Sequence, residues 1–137
     1  MATDDELQTV RDMVEKFLET SMIPDPDGAA AFLAPDAVIY FTGKTRMSHP
    51  REMAAYNSRR YKWVKKKFAT LDVAPADGHI VAYGTGTLYG EWPDGTPFDG
   101  NRYIDRFEIR DGKITRIDVL NDSAERILKR QAGEPEI

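Results

Sequence analysis

Between Asn101 and Asn121 the chain reads NRYIDRFEIRDGKITRIDVLN, two runs rich in Ile, Tyr, Phe and Val that flank Asp111-Gly112. Asp-Gly suits a two-residue type I′ turn, whose central positions both need a positive φ. The stretch is therefore predicted to be one β-hairpin. With Asp111-Gly112 as the loop, Arg110 faces Lys113, Ile109 faces Ile114, Phe107 faces Arg116, and Asp105 faces Asp118. Directly opposed residues of an antiparallel pair have Cβ atoms about 4.5–5.5 Å apart, so two carboxyls there oppose each other's ionisation. Tyr103, Phe107, Ile114 and Leu120 fall on the same face by the period of two. An acid pair among apolar neighbours keeps one carboxyl neutral beside an ionised one, which general acid-base catalysis requires. The alternative is a solvated face with the acids paired to Arg102, Arg106 or Arg116, and a bulge would shift the pairing by one residue.

The rest of the chain supplies what such a hairpin packs against. Thr3-Asp4-Asp5-Glu6 is a capping-box pattern, followed at helical spacing by Leu7, Val10, Met13, Val14, Phe17 and Leu18, so a first helix is expected to about Met22. Asp27 is placed as the cap of a short second helix, and Ala37 to Thr42 as a buried strand. Ser48 is placed as the cap of a third helix with Pro50 in its first turn and Met53, Tyr56, Asn57, Arg60 and Val64 on one face. Strands are expected over Lys67 to Val73 and His79 to Trp92, the second with Gly84, Gly86 and Gly90 in one parity. Such a glycine row marks a bend, a close backbone approach or a ligand cavity. Asp122 with Glu125 opens a closing helix that Gly133 and Pro135 stop. Three front helices with one strand, a four-stranded meander and a short last helix make an α+β fold, with helices on one face of a curved sheet.

Composition sets the limits. At 137 residues the chain is expected to be one domain with room for a core and a cavity. A net charge of −4 gives no general attraction to nucleic acid or membrane, and no apolar run approaches a membrane span. Cysteine is absent, which removes disulfides, thiol nucleophiles and cysteine-metal sites. With no basic and apolar leader pattern at the start, a cytoplasmic location is expected. The run Arg59, Arg60, Lys62, Lys65, Lys66, Lys67, with Tyr61 and Trp63 among it, is the one local hint of nucleic-acid binding. Cations near a helix C-terminus explain it more simply, and a carboxylated or phosphorylated substrate could also be drawn to it.

The element order, the segment FLAPDAVIYF from Phe32 to Phe41 and the hairpin YIDRFEIRDGKI from Tyr103 to Ile114 together resemble the nuclear transport factor 2-like (NTF2-like) superfamily. Within it the chain looks most like the SnoaL-like polyketide cyclase, ketosteroid isomerase and scytalone dehydratase branch. The resemblance implies a cystatin-like, NTF2-like cone, in which a curved mixed antiparallel sheet wraps over the N-terminal helices around a pocket. It also implies a homodimer through the convex face of the sheet, for which Ile104, Ile117 and Val119 are the expected interface residues. Asp105, within Ile104-Asp105-Arg106-Phe107, falls where the isomerase holds an aspartate neutral in an apolar site. The isomerase base at the end of the first strand is replaced by Phe41, its first-helix tyrosine by Phe17, and Tyr56 falls near a pocket tyrosine of the third helix. Asp118 resembles the last-strand aspartate of limonene epoxide hydrolase, and His49 a helical-region histidine of scytalone dehydratase.

The expected catalytic set is thus Asp105 and Asp118 assisted by His49 and Tyr56, with Phe17, Phe41, Tyr61, Tyr103, Phe107 and Leu120 lining an aromatic-friendly pocket. His49 and His79, the two histidines, also have plainer readings as surface residues, and Asn121 as a helix cap. No metal site and no cofactor are expected. The implied function is a cofactor-independent lyase or isomerase of dehydratase or cyclase type, acting by general acid-base catalysis on a small hydrophobic, oxygenated, aromatic or cyclic substrate. A carbon-carbon lyase releasing formaldehyde from lignin-derived aromatic diols and a non-catalytic ligand-binding or partner-binding domain are the alternatives.

Overall fold

The computed structural model describes residues 2–134. Helix α1 (Asp4–Met22) begins as its capping box dictates, with Thr3 Oγ1 accepting the Glu6 N–H at 3.1 Å, and buries Val10, Val14, Phe17 and Leu18 along one stripe. Helix α2 (Pro26–Ala30) is capped by Asp25 rather than Asp27, because Pro26 takes the first helical position and Asp25 accepts the Gly28 N–H. Helix α3 (Pro50–Arg60), by contrast, is capped one residue later than expected. His49 Nδ1 accepts the Arg51 N–H at 3.0 Å, while Ser48 bonds to Glu52.

Six strands, β1 (Leu33–Tyr40), β2 (Arg46–Met47), β3 (Trp63–Ala76), β4 (His79–Glu91), β5 (Pro97–Arg110) and β6 (Lys113–Asn121), form one sheet in the order β2-β1-β6-β5-β4-β3. All pairs are antiparallel except β1 with β6, so the sheet is mixed. Its inner face packs on the helices, with Phe17 edge-on to both Phe107 and Phe32 at centroid distances of 6.0 and 6.4 Å. This is the α+β cone implied by the resemblance. Helix α4 (Ser123–Gln131) closes the described chain, and the stop expected at Pro135 lies outside the described residues. No helix among them is long and apolar enough to cross a membrane.

The hairpin turn is as expected: Asp111 and Gly112 have φ of 50° and 74°, and Arg110 pairs with Lys113. Beyond Ile109 and Ile114 the register departs from expectation. Glu108 pairs with Arg116, Arg106 with Asp118, and Asp105 with Val119. Thr115 is the extra residue of a β-bulge, and its hydroxyl donates to Glu108 O at 3.2 Å. One inserted residue reverses the parity of everything after it. Ile117 and Val119, expected on the convex face, are buried inside, and Leu120, expected in the pocket, stands outside with 56% of its surface exposed.

Candidate active site

Inside the cone, the inner positions of β5 carry Tyr103, Asp105 and Phe107, all buried, and the bulged β6 sets Asn121, Val119 and Ile117 opposite them. Below Tyr103 and Asp105, β4 contributes Gly86 and Gly84. A Cβ on Gly86 would lie 2.8 Å from the Tyr103 ring and 2.1 Å from Lys67 O, so this glycine answers to close approach of ring and backbone. Across it, from β3, Lys66 extends inward over the Tyr103 ring, its Nζ 4.5 Å from the centroid, and donates to Asp105 Oδ2.

Asp105 is only 1% exposed. Burial pushes its carboxyl above the ordinary range, and the Lys66 ammonium works against that shift by charge and hydrogen bond. Its second oxygen, Oδ1, has no hydrogen-bond partner among the described residues. The Tyr103 hydroxyl is also buried without a partner, and burial with the Asp105 charge pushes its pKa up. Both side chains border a chamber of about 90 Å³ whose wall includes Lys66, Phe41, Leu88, Val119, Asn57 and Asn121. An outer groove of about 350 Å³ shares Ser21, Met22, Met53, Asn57, Tyr61, Val64 and Lys65 with it, giving the chamber an approach that is mostly apolar but includes the Lys65 cation. A buried carboxyl with one oxygen held by an ammonium and the other unpartnered can take or return a proton at that oxygen.

The other expected site residues divide between this chamber and elsewhere. Phe41, Tyr61 and Tyr103 border it. Tyr61 does so as a fixed wall, stacked on Trp92 and Phe98 with its hydroxyl bonded to Ser123 Oγ at 2.6 Å. Phe17 and Phe107 belong to the closed core instead, packed against each other. Tyr56 lies against Phe41 at a ring separation of 4.9 Å and is not among the chamber's lining side chains. Asp118 is on the outer face, with Arg116 Nε and Nη2 donating to its two oxygens at 2.9 and 3.0 Å, so the acid couple expected from the hairpin does not form. His49 is a helix cap with Nε2 3.8 Å from Asp27, outside both cavities. His79, expected to be exposed, is half-buried between Glu108, at 3.8 Å, and Arg110. Asn121 does accept the Ser123 N–H at the start of α4, as a cap would.

Lys66 is the residue that sequence reasoning left in a charge run. That run is not one patch in the fold: Lys62 approaches Glu91, Lys67 bonds Asp99 on the outer side, and Lys66 alone turns inward to Asp105. The signal for it was parity, since Val64 and Lys66 share the inward side of β3 before the bulge between Phe68 and Thr70. Among the described residues no cluster of three or more His, Asp or Glu is arranged to hold a metal ion.

Comparison with known families matches the SnoaL-like domain over residues 14–117, which is most of the chain and includes α3, β3, β4 and β5. The chain belongs to the SnoaL-like domain family. Solved structures similar to this SnoaL-like chain include TerC crystallised with polyporic acid, at 14% identity and a TM-score of 0.70 over 88% of this chain and 96% of that one. An NTF2-like protein from Burkholderia thailandensis is 18% identical with a TM-score of 0.70, covering 92% and 98% of the two chains. A candidate polyketide cyclase from Xanthomonas campestris pv. campestris is 20% identical with a TM-score of 0.64, covering 89% and 96%. At these identities the likeness is one of fold. Comparison with curated proteins finds no match.

Proposed function

We propose that this SnoaL-like protein is a cofactor-independent lyase or isomerase, of the cyclase or dehydratase kind, that moves a proton on a small hydrophobic oxygenated substrate through Asp105. The observation that carries the reading is the Asp105 carboxyl: buried, bonded to Lys66 through Oδ2, and unpartnered at Oδ1 beside a chamber. As a carboxylate, Asp105 accepts the proton from a carbon next to a substrate carbonyl. The electron pair left behind moves onto the carbonyl oxygen, and the Lys66 ammonium offsets the negative charge that develops. As an acid, Asp105 returns the proton to another position, or to a hydroxyl that leaves as water. Elimination, ring closure and isomerisation share this step, as does carbon-carbon cleavage when the base takes a hydroxyl proton. The relationship to a candidate polyketide cyclase supports the choice of a cyclic or aromatic substrate. The fold alone does not fix the activity.

Deuterium uptake tests the reading without knowledge of the natural substrate. A panel of cyclic ketones and phenolic ketones is incubated with protein in D₂O and followed by NMR. Asp105→Asn is expected to lower the enzyme-dependent exchange by roughly 10²- to 10⁴-fold while leaving ligand binding in place. Exchange that proceeds equally in the variant removes Asp105 from the role. A ligand-binding domain without catalysis is the second reading, favoured by the position of Asp118 and His49 outside the chamber, and it predicts saturable binding with no exchange at all.

The same reading includes a homodimer through the outer face of the sheet. Ile104 and Leu120 pair there in register, 41% and 56% exposed, and Tyr83 is exposed on the same face. These replace Ile117 and Val119 as the apolar contact.

A further inference from the structure

Lys66 brings an amine to the wall of the chamber. Its side chain keeps 22% of its surface open, its Nζ is 4.5 Å from the centre of the Tyr103 ring, and it donates to the buried Asp105 Oδ2. Acid-base chemistry at Asp105 uses Lys66 only as a charge, and for that purpose arginine is the better residue. A guanidinium grips both oxygens of a carboxylate and keeps its proton, whereas an ammonium that gives one up gains a reactive electron pair. Lysine here leaves Asp105 Oδ1 unpartnered and sets a latent nucleophile beside the same chamber.

The other hydroxyls and amines that border the chamber are less suited to attack. Ser21 Oγ donates to Phe17 O at 2.9 Å, the Tyr61 hydroxyl donates to Ser123 Oγ at 2.6 Å, and burial keeps the Tyr103 hydroxyl protonated. Lys65 borders both cavities, but it is exposed and pairs with no carboxylate among the described residues, so no base is in contact to take its proton. Lys66 shares its proton with an acid that burial already inclines to hold one. Charge favours the same chemistry. An ammonium that condenses with a carbonyl becomes an iminium, still singly positive at the same nitrogen, so the buried Asp105 carboxylate keeps its partner. Phe41, Leu88 and Val119 in the wall hold bulk water away from such a bond.

We propose that Lys66 is a catalytic residue that forms an iminium with the carbonyl carbon of an aldehyde or ketone held in the chamber. The proposal deepens the acid-base reading, on which it rests for the identity of the chamber, by naming the reacting group of the substrate. Across the existing hydrogen bond the ammonium passes one proton to Asp105. The freed nitrogen pair bonds to the carbonyl carbon, the carbonyl π pair moves onto oxygen, and a proton passes from nitrogen to that oxygen. Asp105 then returns its proton as the carbon-oxygen bond breaks, so water leaves and the nitrogen pair closes the carbon-nitrogen double bond. Ammonium and carbonyl have become iminium and water, with the carboxylate restored. When Asp105 removes a proton from the neighbouring carbon, the iminium nitrogen takes the electron pair that the carbonyl oxygen takes in the uncoupled reaction.

Benzaldehyde with cyanoborohydride tests this on the wild-type protein. The carbon next to its carbonyl bears no hydrogen, so it reports the covalent step apart from proton exchange, and the reductant fixes an iminium as an N-benzyl lysine that peptide mass mapping locates. Lys66 is expected to take the label about tenfold faster than Lys65 and Lys67, and the rate to saturate with benzaldehyde. Excess benzyl alcohol, which has the shape without the carbonyl, is expected to slow Lys66 alone. Lys66→Arg keeps a cation beside Asp105 and is expected to lose the fast label while Lys65 reacts as before. Labelling of Lys66 no faster than that of Lys65 and Lys67, faster labelling at Lys65, or a Lys66 label that benzyl alcohol leaves unchanged overturns the proposal. So does the absence of label at Lys66. If Lys66→Arg does not fold, the wild-type map decides alone. Fast labelling of Lys66 without deuterium exchange at any ketone supports the covalent step and removes the acid-base reading, whereas exchange without labelling does the reverse.

Discussion

Replacing Lys66 by Met removes the one charge bonded to Asp105 among the described residues and retains most of the apolar length of the side chain. Taking one partner from a buried ion pair typically costs about 3–5 kcal/mol. Lys66 keeps 22% of its side-chain surface in water whereas Asp105 keeps 1%, so solvent already screens part of the interaction and about 2–4 kcal/mol is expected at pH 8. The pH dependence follows from the direction of the Asp105 shift. Burial raises its native pKa above the unfolded value, so its favourable contribution is complete below the ordinary carboxyl range and is lost as pH rises through the native value. Lys66 limits that rise. Without it the native pKa climbs further and the loss continues over a wider span of pH. At about pH 4, where the unfolded carboxyl titrates, the variant is expected within ~1 kcal/mol of the wild type, reflecting packing alone. Toward pH 8 the gap should open to its full size. Urea unfolding followed by circular dichroism from pH 4 to pH 8 measures it, with Asp105→Asn and the double variant completing a cycle. The double variant should recover most of the loss at pH 8, because it leaves no buried charge. A gap that is the same at every pH, or a double variant no more stable than Lys66→Met, refutes the account.

Further outcomes follow from the same contacts. Gly86→Ala should destabilise by about 1–3 kcal/mol or prevent folding, because its Cβ would meet backbone, whereas Gly84→Ala, with its nearest neighbours at 3.9 Å, should be far milder. Comparable thermal melts for the two would contradict this. Tyr61→Phe removes the hydroxyl bonded to the buried Ser123 and is expected to cost about 1–2 kcal/mol in urea unfolding, and an unchanged midpoint would show that bond to be idle. Leu120→Lys should convert the proposed outer-face dimer to a monomer by sedimentation analysis without altering the fold. A mass unchanged by the substitution, whether one chain or two, argues against the outer-face interface.

The helices, the meander from β3 to β6 and the type I′ turn were legible because each rests on local chemistry: a Thr3 cap, a stripe of Val10, Val14, Phe17 and Leu18, an Asp-Gly loop. Asp105 was legible as an inward acid because its parity is shared by Tyr103 and Phe107. Its supposed mate was misread because strict alternation was carried through β6. The spacing of Ile114, Ile117 and Val119, three and then two, already betrays the extra residue. Lys66 was hidden by its neighbours of like charge, since composition registers a basic run before parity separates its members. Caps were displaced where proline occupies the first helical position, from Asp27 back to Asp25 before Pro26 and from Ser48 on to His49 before Pro50.

The sheet order gives the Lys66–Asp105 pair an asymmetry. Asp105 is on β5, flanked by strands on both sides, while Lys66 hangs from β3, which terminates the sheet and has β4 as its only neighbour. Terminal strands open more readily than central ones. Fraying at this rim would withdraw the ammonium and leave the carboxyl in place, so the proton affinity of the chamber is tied to an edge strand of the sheet.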